Sequence, residues 1–169
     1  MEFYRYAIAL GSNRRHGRHG APAGVLSAAA RALEQAGLRV SAASPVITTP
    51  ALGPAGRSFA NAAIIVETRL QPPALLALLK ATDAAFGRRR GRRWGPRVLD
   101  LDIALWSEGR WPRRGEGWSG GQRLAIPHRA VEQRDFVLRP LARIIPDWRV
   151  GRGPRTVRQA LFRLIHRSG

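Results

Sequence analysis

The chain contains no cysteine. Disulfides and thiolate metal sites are therefore excluded, while the compartment stays open, because reducing and oxidising surroundings both tolerate such a protein. No apolar run approaches the roughly 18–20 residues of a membrane span. The opening MEFYRYAIALGSN has an acid at position 2 and no small-residue cleavage site after a long apolar core. A signal peptide is not expected, and the cytoplasm is the expected compartment. Acidic residues are scarce, 11 against 29 basic ones, and Lys80 is the only lysine among those bases. The familiar phosphate-binding strings are missing too: no G-x-x-x-x-G-K-[ST], no G-x-G-x-x-G after a strand, no kinase-like H-x-D. No internal repeat or domain-sized linker breaks the chain. Its 169 residues read as a single domain, 1–169, long enough to bury a core.

What is present begins with a net charge of +18. Such a charge attracts polyanions, nucleic acid among them, and a GC-rich coding sequence explains the arginine bias equally well. Against that background the acids are informative. The stretch Gly87–Trp106, GRRRGRRWGPRVLDLDIALW, opens with five arginines in six positions, tightens at Gly95-Pro96 and enters an apolar run interrupted by Asp100 and Asp102. Val98, Leu99, Leu101, Ile103 and Leu105 favour a buried strand. Alternation then puts Asp100 and Asp102 on one face, with Cα atoms roughly 6.5–7 Å apart. Two carboxylates on a half-buried strand repel each other and lose hydration unless a cation neutralises them. Hard divalent ions do so, and the upstream arginines suit phosphate oxygens. The combination points to chemistry on a polyphosphate.

Around it, Tyr4–Leu10 reads as a strand ending in the turn Gly11-Ser12-Asn13, and Arg14–Gly20 as a mobile basic loop rather than a histidine metal site. Pro22–Ala36 has helical spacing with Gly37 as its stop. Leu38–Thr48 reads as one strand, Thr49–Pro54 as a stiff loop, Phe59–Leu70 as a third strand with Phe59, Asn61 and Ala63 on one face. Pro72–Phe86 is a second helix. Ser107–Gln122 is an exposed excursion, with Trp111 and Trp118 partly covered. An entry turn, a short helical piece around Arg129–Arg134, an apolar segment and a last helix over Thr156–Ile165 complete the chain. The order strand-helix-strand-strand-helix-strand is the split βαββαβ pattern. It predicts an α+β, ferredoxin-like sandwich: an antiparallel sheet with helices on one face plus C-terminal helical additions.

Several short strings carry a family resemblance along nearly the whole length. They are Ala9-Leu10-Gly11-Ser12-Asn13, Thr49-Pro50-Ala51-Leu52-Gly53-Pro54, Phe59-Ala60-Asn61-Ala62, Arg93-Trp94-Gly95-Pro96-Arg97-Val98-Leu99-Asp100-Leu101-Asp102-Ile103, Ile126-Pro127-His128, and Arg134-Asp135-Phe136-Val137-Leu138. In this order they resemble the 6-hydroxymethyl-7,8-dihydropterin pyrophosphokinases of folate biosynthesis. The resemblance implies transfer of the β,γ-diphosphate of ATP to the pterin hydroxymethyl group, with AMP released and two Mg²⁺ ions used. It makes Asp100 and Asp102 the metal ligands, and Arg88 and Arg97 catalytic contacts to phosphate. It places Phe59 and Phe136 about the pterin ring, Asn61 at its edge, the loop of Thr49, Pro50 and Leu52 beside it, and Trp94 over the site. Arg88, Arg90, Arg97, Ile103, Arg123, His128 and Arg134 fall where the family contacts ATP. Asp83 stands where relatives commonly have Glu, and Phe59 where Tyr is frequent.

Two other readings compete. A basic ferredoxin-like sheet can bind single-stranded RNA, although an RNP1-type string is missing and the aspartates would repel phosphate unless metallated. An inactive paralogue is the other. Small-molecule substrates, no membrane and a monomeric state are the expected company of the enzyme.

Overall fold

The computed structural model describes residues 2–14, 16–49, 58–87, 98–113, 124–151 and 153–167. In chain order they form strand β1 (Tyr4–Ser12), helix α1 (Pro22–Gln35), strands β2 (Arg39–Ala43), β3 (Ile47–Thr49) and β4 (Phe59–Thr68), helix α2 (Pro72–Gly87), strand β5 (Asp100–Trp106), a 3₁₀ turn (Val131–Gln133), and helices α3 (Asp135–Ile144) and α4 (Val157–Arg167). The strands make one antiparallel sheet in the order β2-β4-β1-β5, with β3 continuing beside β4 beyond the end of β2.

Alternation along the central strands divides the interior in two. Tyr6, Ile8, Leu10, Ile64, Val66, Leu101 and Ile103 face α1 and α2, meeting Val25, Leu26, Leu33, Leu75 and Leu79. Ala7, Ala63, Ile65 and Leu105 face the other way, onto Leu138 and Leu141 of α3 and Val157 and Ala160 of α4. The C-terminal additions thus cover the second face, and the sheet is sandwiched rather than one-sided. Each fully buried Leu or Ile side chain contributes about 1.5–3 kcal/mol, so neither layer is dispensable.

Local chemistry sets the ends of these elements. Gly37 adopts φ +101°; its N–H bonds the Glu34 carbonyl at 3.0 Å, and the Leu38 N–H bonds that of Leu33 at 3.1 Å. This Schellman closure stops α1 at the glycine the sequence marks. Thr156 and Gln159 form a reciprocal capping box at the start of α4, at 3.3 and 3.0 Å. The segment predicted as one strand over Leu38–Thr48 is broken in two. A bulge interrupts its register with β4 between Val40 and Ala42, and Pro45 lacks the ladder donor. Ser44 bridges the gap: its N–H donates to the Ala63 carbonyl at 2.8 Å, and its Oγ accepts the Ala63 N–H at 2.9 Å.

Two other expectations change, and a segment left without an assigned element gains one. β1 runs through Gly11 and Ser12, which the sequence assigned to a turn. Within the segment predicted as a mobile basic loop, residues 16–20 form a closed turn: His16 and Gly20 exchange backbone hydrogen bonds at 2.8 Å, and the stacked His16 and His19 rings lean on Phe86. The apolar segment after Arg134 is helical despite Pro140. In the excursion, Trp111 pairs with Ile126; Trp118 lies outside the described residues.

Candidate active site

The cross-strand register assembles the site at one end of the sheet, on the face that α3 only partly covers. Gly11 of β1 stands between Asn61 of β4 and Asp100 of β5, and Ala9 stands between Ala63 and Asp102. Neighbouring strands lie ≈ 4.7–4.9 Å apart, so the backbones of Asn61 and Asp100 are roughly 10 Å apart across a floor that carries no side chain at Gly11. A Cβ at Gly11 would lie 3.2 Å from Asn61 Oδ1. β3 extends the row outward, pairing Ile47 with Asn61 and Thr49 with Phe59.

Two exposed aromatic rings sit on β4 and on α3, a helix that packs against β4. Phe59 is 48% exposed and Phe136 42% exposed, unusual for rings beside a packed core. Phe136 sits in the first turn of α3, which Leu138 and Leu141 hold against the sheet. The Arg134 guanidinium lies 5.7 Å from the Phe136 ring centre, in cation–π range.

The acids occupy the far side. Asp100 is exposed and Asp102 half-exposed, both opposite the face of Leu101. At the β5 edge a cavity of about 380 Å³ is lined by Lys80, Asp102, Ile103, Leu124, His128 and Arg129, among others. The His128 N–H donates to the Ala104 carbonyl at 3.0 Å, tying this segment to β5. His128 Nδ1 accepts the Ala130 N–H at 3.1 Å, so the neutral ring carries its proton on Nε2. Behind β5, α2 continues its buried stripe Leu75, Leu79 with Asp83. Burial pushes the Asp83 carboxyl up to about 6; Lys80 opposes the shift, and the charges of Asp100 and Asp102 add to it.

A divalent ion fits this donor set in one particular way. Among the described residues no group of three or more Asp, Glu, His or Cys side chains forms a cage. Mg²⁺ is commonly held by one or two carboxylates, with water and substrate phosphates completing its shell. Asp100 and Asp102 suit an ion that arrives with a triphosphate.

The sequence-predicted residues Thr49, Phe59, Asn61, Asp100, Asp102, Ile103, His128, Arg134 and Phe136 are therefore all placed. Pro50, Leu52, Arg88, Arg90, Trp94, Arg97 and Arg123 lie outside the described residues. Sequence reasoning missed Gly11 as the floor between Asn61 and Asp100, and Lys80 as a neighbour of Asp102. The rarity of lysine was the available signal for the second.

Comparison with known proteins decides the family. Residues 7–146 match the family model described as 7,8-dihydro-6-hydroxymethylpterin-pyrophosphokinase. The chain belongs to that pyrophosphokinase family. It is similar to the 2-amino-4-hydroxy-6-hydroxymethyldihydropteridine pyrophosphokinase of Methylorubrum extorquens, 43% identical over 130 residues, covering 76% of this chain and 75% of the relative. The protein of the same name from Pseudomonas aeruginosa is 40% identical over 150 residues, 88% of this chain and 85% of the relative. Among solved structures, the Plasmodium falciparum HPPK-DHPS wild-type crystal structure superposes with a TM-score of 0.73 at 13% identity. That match covers 98% of this pyrophosphokinase-family chain but 42% of the Plasmodium one, and at such identity it speaks to fold alone.

Proposed function

We propose that the site transfers the β,γ-diphosphate of ATP to the hydroxymethyl group of 6-hydroxymethyl-7,8-dihydropterin. The family supplies the reaction class, an ATP-dependent pyrophosphokinase of folate synthesis. The observation that carries the residue-level reading is the single row Asn61–Gly11–Asp100, which sets a flat polar slot beside an acidic pair. In fold terms the strand order fits a ferredoxin-like sandwich when β2 and β3 count as one interrupted strand.

The roles follow from the chemistry of the groups. Phe59 and Phe136 offer ring faces to a heterocycle, and the Asn61 amide offers both a donor and an acceptor to its edge. Thr49 stands next to Phe59 and, with Pro50 and Leu52, adds backbone contacts. Asp100 and Asp102 would hold Mg²⁺, two ions in the family pattern, which when bound neutralise triphosphate charge and act as a Lewis acid. Ile103 and His128 line the β5-edge cavity, and with Arg123 and Arg134 they are the further ATP contacts that the family resemblance implies. By the family resemblance Arg88, Arg90 and Arg97 would supply planar donors to phosphate oxygens, and Trp94 would help close the loop over the site.

Transfer forms a bond between the hydroxymethyl oxygen and Pβ. It breaks the bridging bond from Pβ to the oxygen on Pα, which leaves with AMP; the alcohol proton passes to solvent. The acceptor is neutral and the donor heavily charged, so in-line positioning and charge stabilisation supply most of the acceleration. A monomer in the cytoplasm, acting on small molecules, completes the proposal; no described helix is long and apolar enough to cross a membrane.

The test is incubation with Mg-ATP and the hydroxymethyl-dihydropterin, followed by chromatography. AMP should appear in step with pterin diphosphate. ADP, or nucleotide turnover independent of the pterin, would overturn the proposal.

A further inference from the structure

Lys80 is the only lysine in the chain, and its ammonium sits at the edge of the acidic pair. α2 lies against the face of β5 that presents Leu101 and Ile103, whereas Asp100 and Asp102 project from the opposite face. β5 is the terminal strand of the sheet, so a long side chain on α2 can reach around its edge. Lys80 Nζ donates to the Leu101 carbonyl at 3.0 Å and to Asp83 Oδ2 at 3.3 Å, and it lies 3.7 Å from Asp102 Oδ1.

The contact with Asp102 is the loosest of the three, and both partners are about a third exposed, 34% and 32%. A pairing so wet and so long is a poor stability device. The firm anchors are the other two. Asp83 is 9% exposed, and its second oxygen, Oδ1, finds no hydrogen-bond partner, so the lysine supplies its visible charge compensation. The ammonium is thereby tethered from behind, and it can leave Asp102 while keeping both tethers. Lys80 also lines the same cavity wall as Asp102, Ile103 and His128.

We propose that Lys80 is a place-holding cation for the metal site. It occupies the Asp102 carboxylate while no nucleotide is bound, and it opposes the approach of a divalent ion to that carboxylate. Metal binding therefore waits for the triphosphate, whose negative charge outweighs the lysine. The inference rests on Asp100 and Asp102 being the ligand pair. Its physical core is that a monovalent cation a few ångströms from a ligand oxygen repels a divalent ion twice as strongly as it would a monovalent one.

Mn²⁺ binding followed by electron paramagnetic resonance tests this on the full chain, with and without a non-hydrolysable α,β-methylene ATP. The wild type should bind Mn²⁺ weakly alone and tightly with the analogue. Lys80→Met should tighten nucleotide-free Mn²⁺ binding by roughly fifteenfold at low ionic strength, the effect of removing one positive charge about 5 Å from the ion in a water-like dielectric. Lys80→Arg, which keeps the charge, should stay weak. Lys80→Gln is the second neutral variant, retaining a donor for Leu101 and Asp83 should the methionine disturb folding. Unchanged or weaker nucleotide-free affinity in a folded neutral variant overturns the place-holding role. Failure of the wild type to bind Mn²⁺ even with the analogue would instead overturn the ligand pair, and the inference with it.

Discussion

Gly11→Ala separates site geometry from stability. Gly11 has no positive φ, so alanine is tolerated by the backbone, and in a strand it should stabilise by about 0.5–1 kcal/mol. The new Cβ, however, would stand 3.2 Å from Asn61 Oδ1, tighter than ordinary van der Waals contact. The amide must shift by a few tenths of an ångström, because β4 and β1 are locked by register on both sides of this row. Displacing a neutral hydrogen bond to the ligand costs about 0.5–1.5 kcal/mol, which is roughly a 2- to 12-fold loss in pterin affinity. Calorimetric titration with the pterin in the presence of the α,β-methylene ATP analogue measures it, with thermal unfolding run beside it. The expected pattern is weaker pterin binding, unaltered nucleotide binding, and a Tm equal to or above that of the wild type. Full pterin affinity in a folded Gly11→Ala protein would refute the placement of the pterin edge against Asn61.

Phe136→Ala should weaken pterin binding by about tenfold or more through lost stacking and burial, and leave nucleotide affinity nearly intact; equal losses for both substrates in titration would contradict the ring's role. Arg97→Ala should reduce kcat/KM by about 2–4 kcal/mol of transition-state stabilisation, and unchanged steady-state kinetics would remove it from the mechanism. Asp83 binds its proton more tightly in the folded protein, where burial raises its pKa to about 6 from the ordinary 3.8. Its contribution to stability is therefore fully present below pH 4 and is lost as pH rises through 6. Denaturation of wild type against Asp83→Asn should show the wild type losing up to about 3 kcal/mol relative to the variant between pH 4 and pH 7; a pH-independent difference would argue against the shift.

The central strands and first two helices were legible because their apolar periodicity matches the buried faces, and because Gly37 carries its own stop signal. The shared face of Asp100 and Asp102 followed from the two-residue period alone, as did that of Phe59 and Asn61. Three features were hidden for physical reasons. α3 carries its buried apolar spacing at Leu138 and Leu141, but Pro140 inside the segment reads as a helix breaker. The break between β2 and β3 depends on Ser44 bonding Ala63, a partner distant in sequence. Gly11 and Lys80 owe their positions to neighbours across the sheet, Asn61 and Asp100 for one and Asp102 for the other. No local pattern encodes such a neighbourhood.

The account stands on the acidic pair being what makes a bound triphosphate reactive. Pterin-dependent AMP formation by Asp100→Ala and Asp102→Ala, measured at saturating Mg²⁺ with folding checked by circular dichroism, tests that most directly. Both proteins should be folded, with AMP production lower by about a thousandfold, as expected when a group stabilising transition-state charge is removed. Near-normal AMP production by either variant would contradict the account.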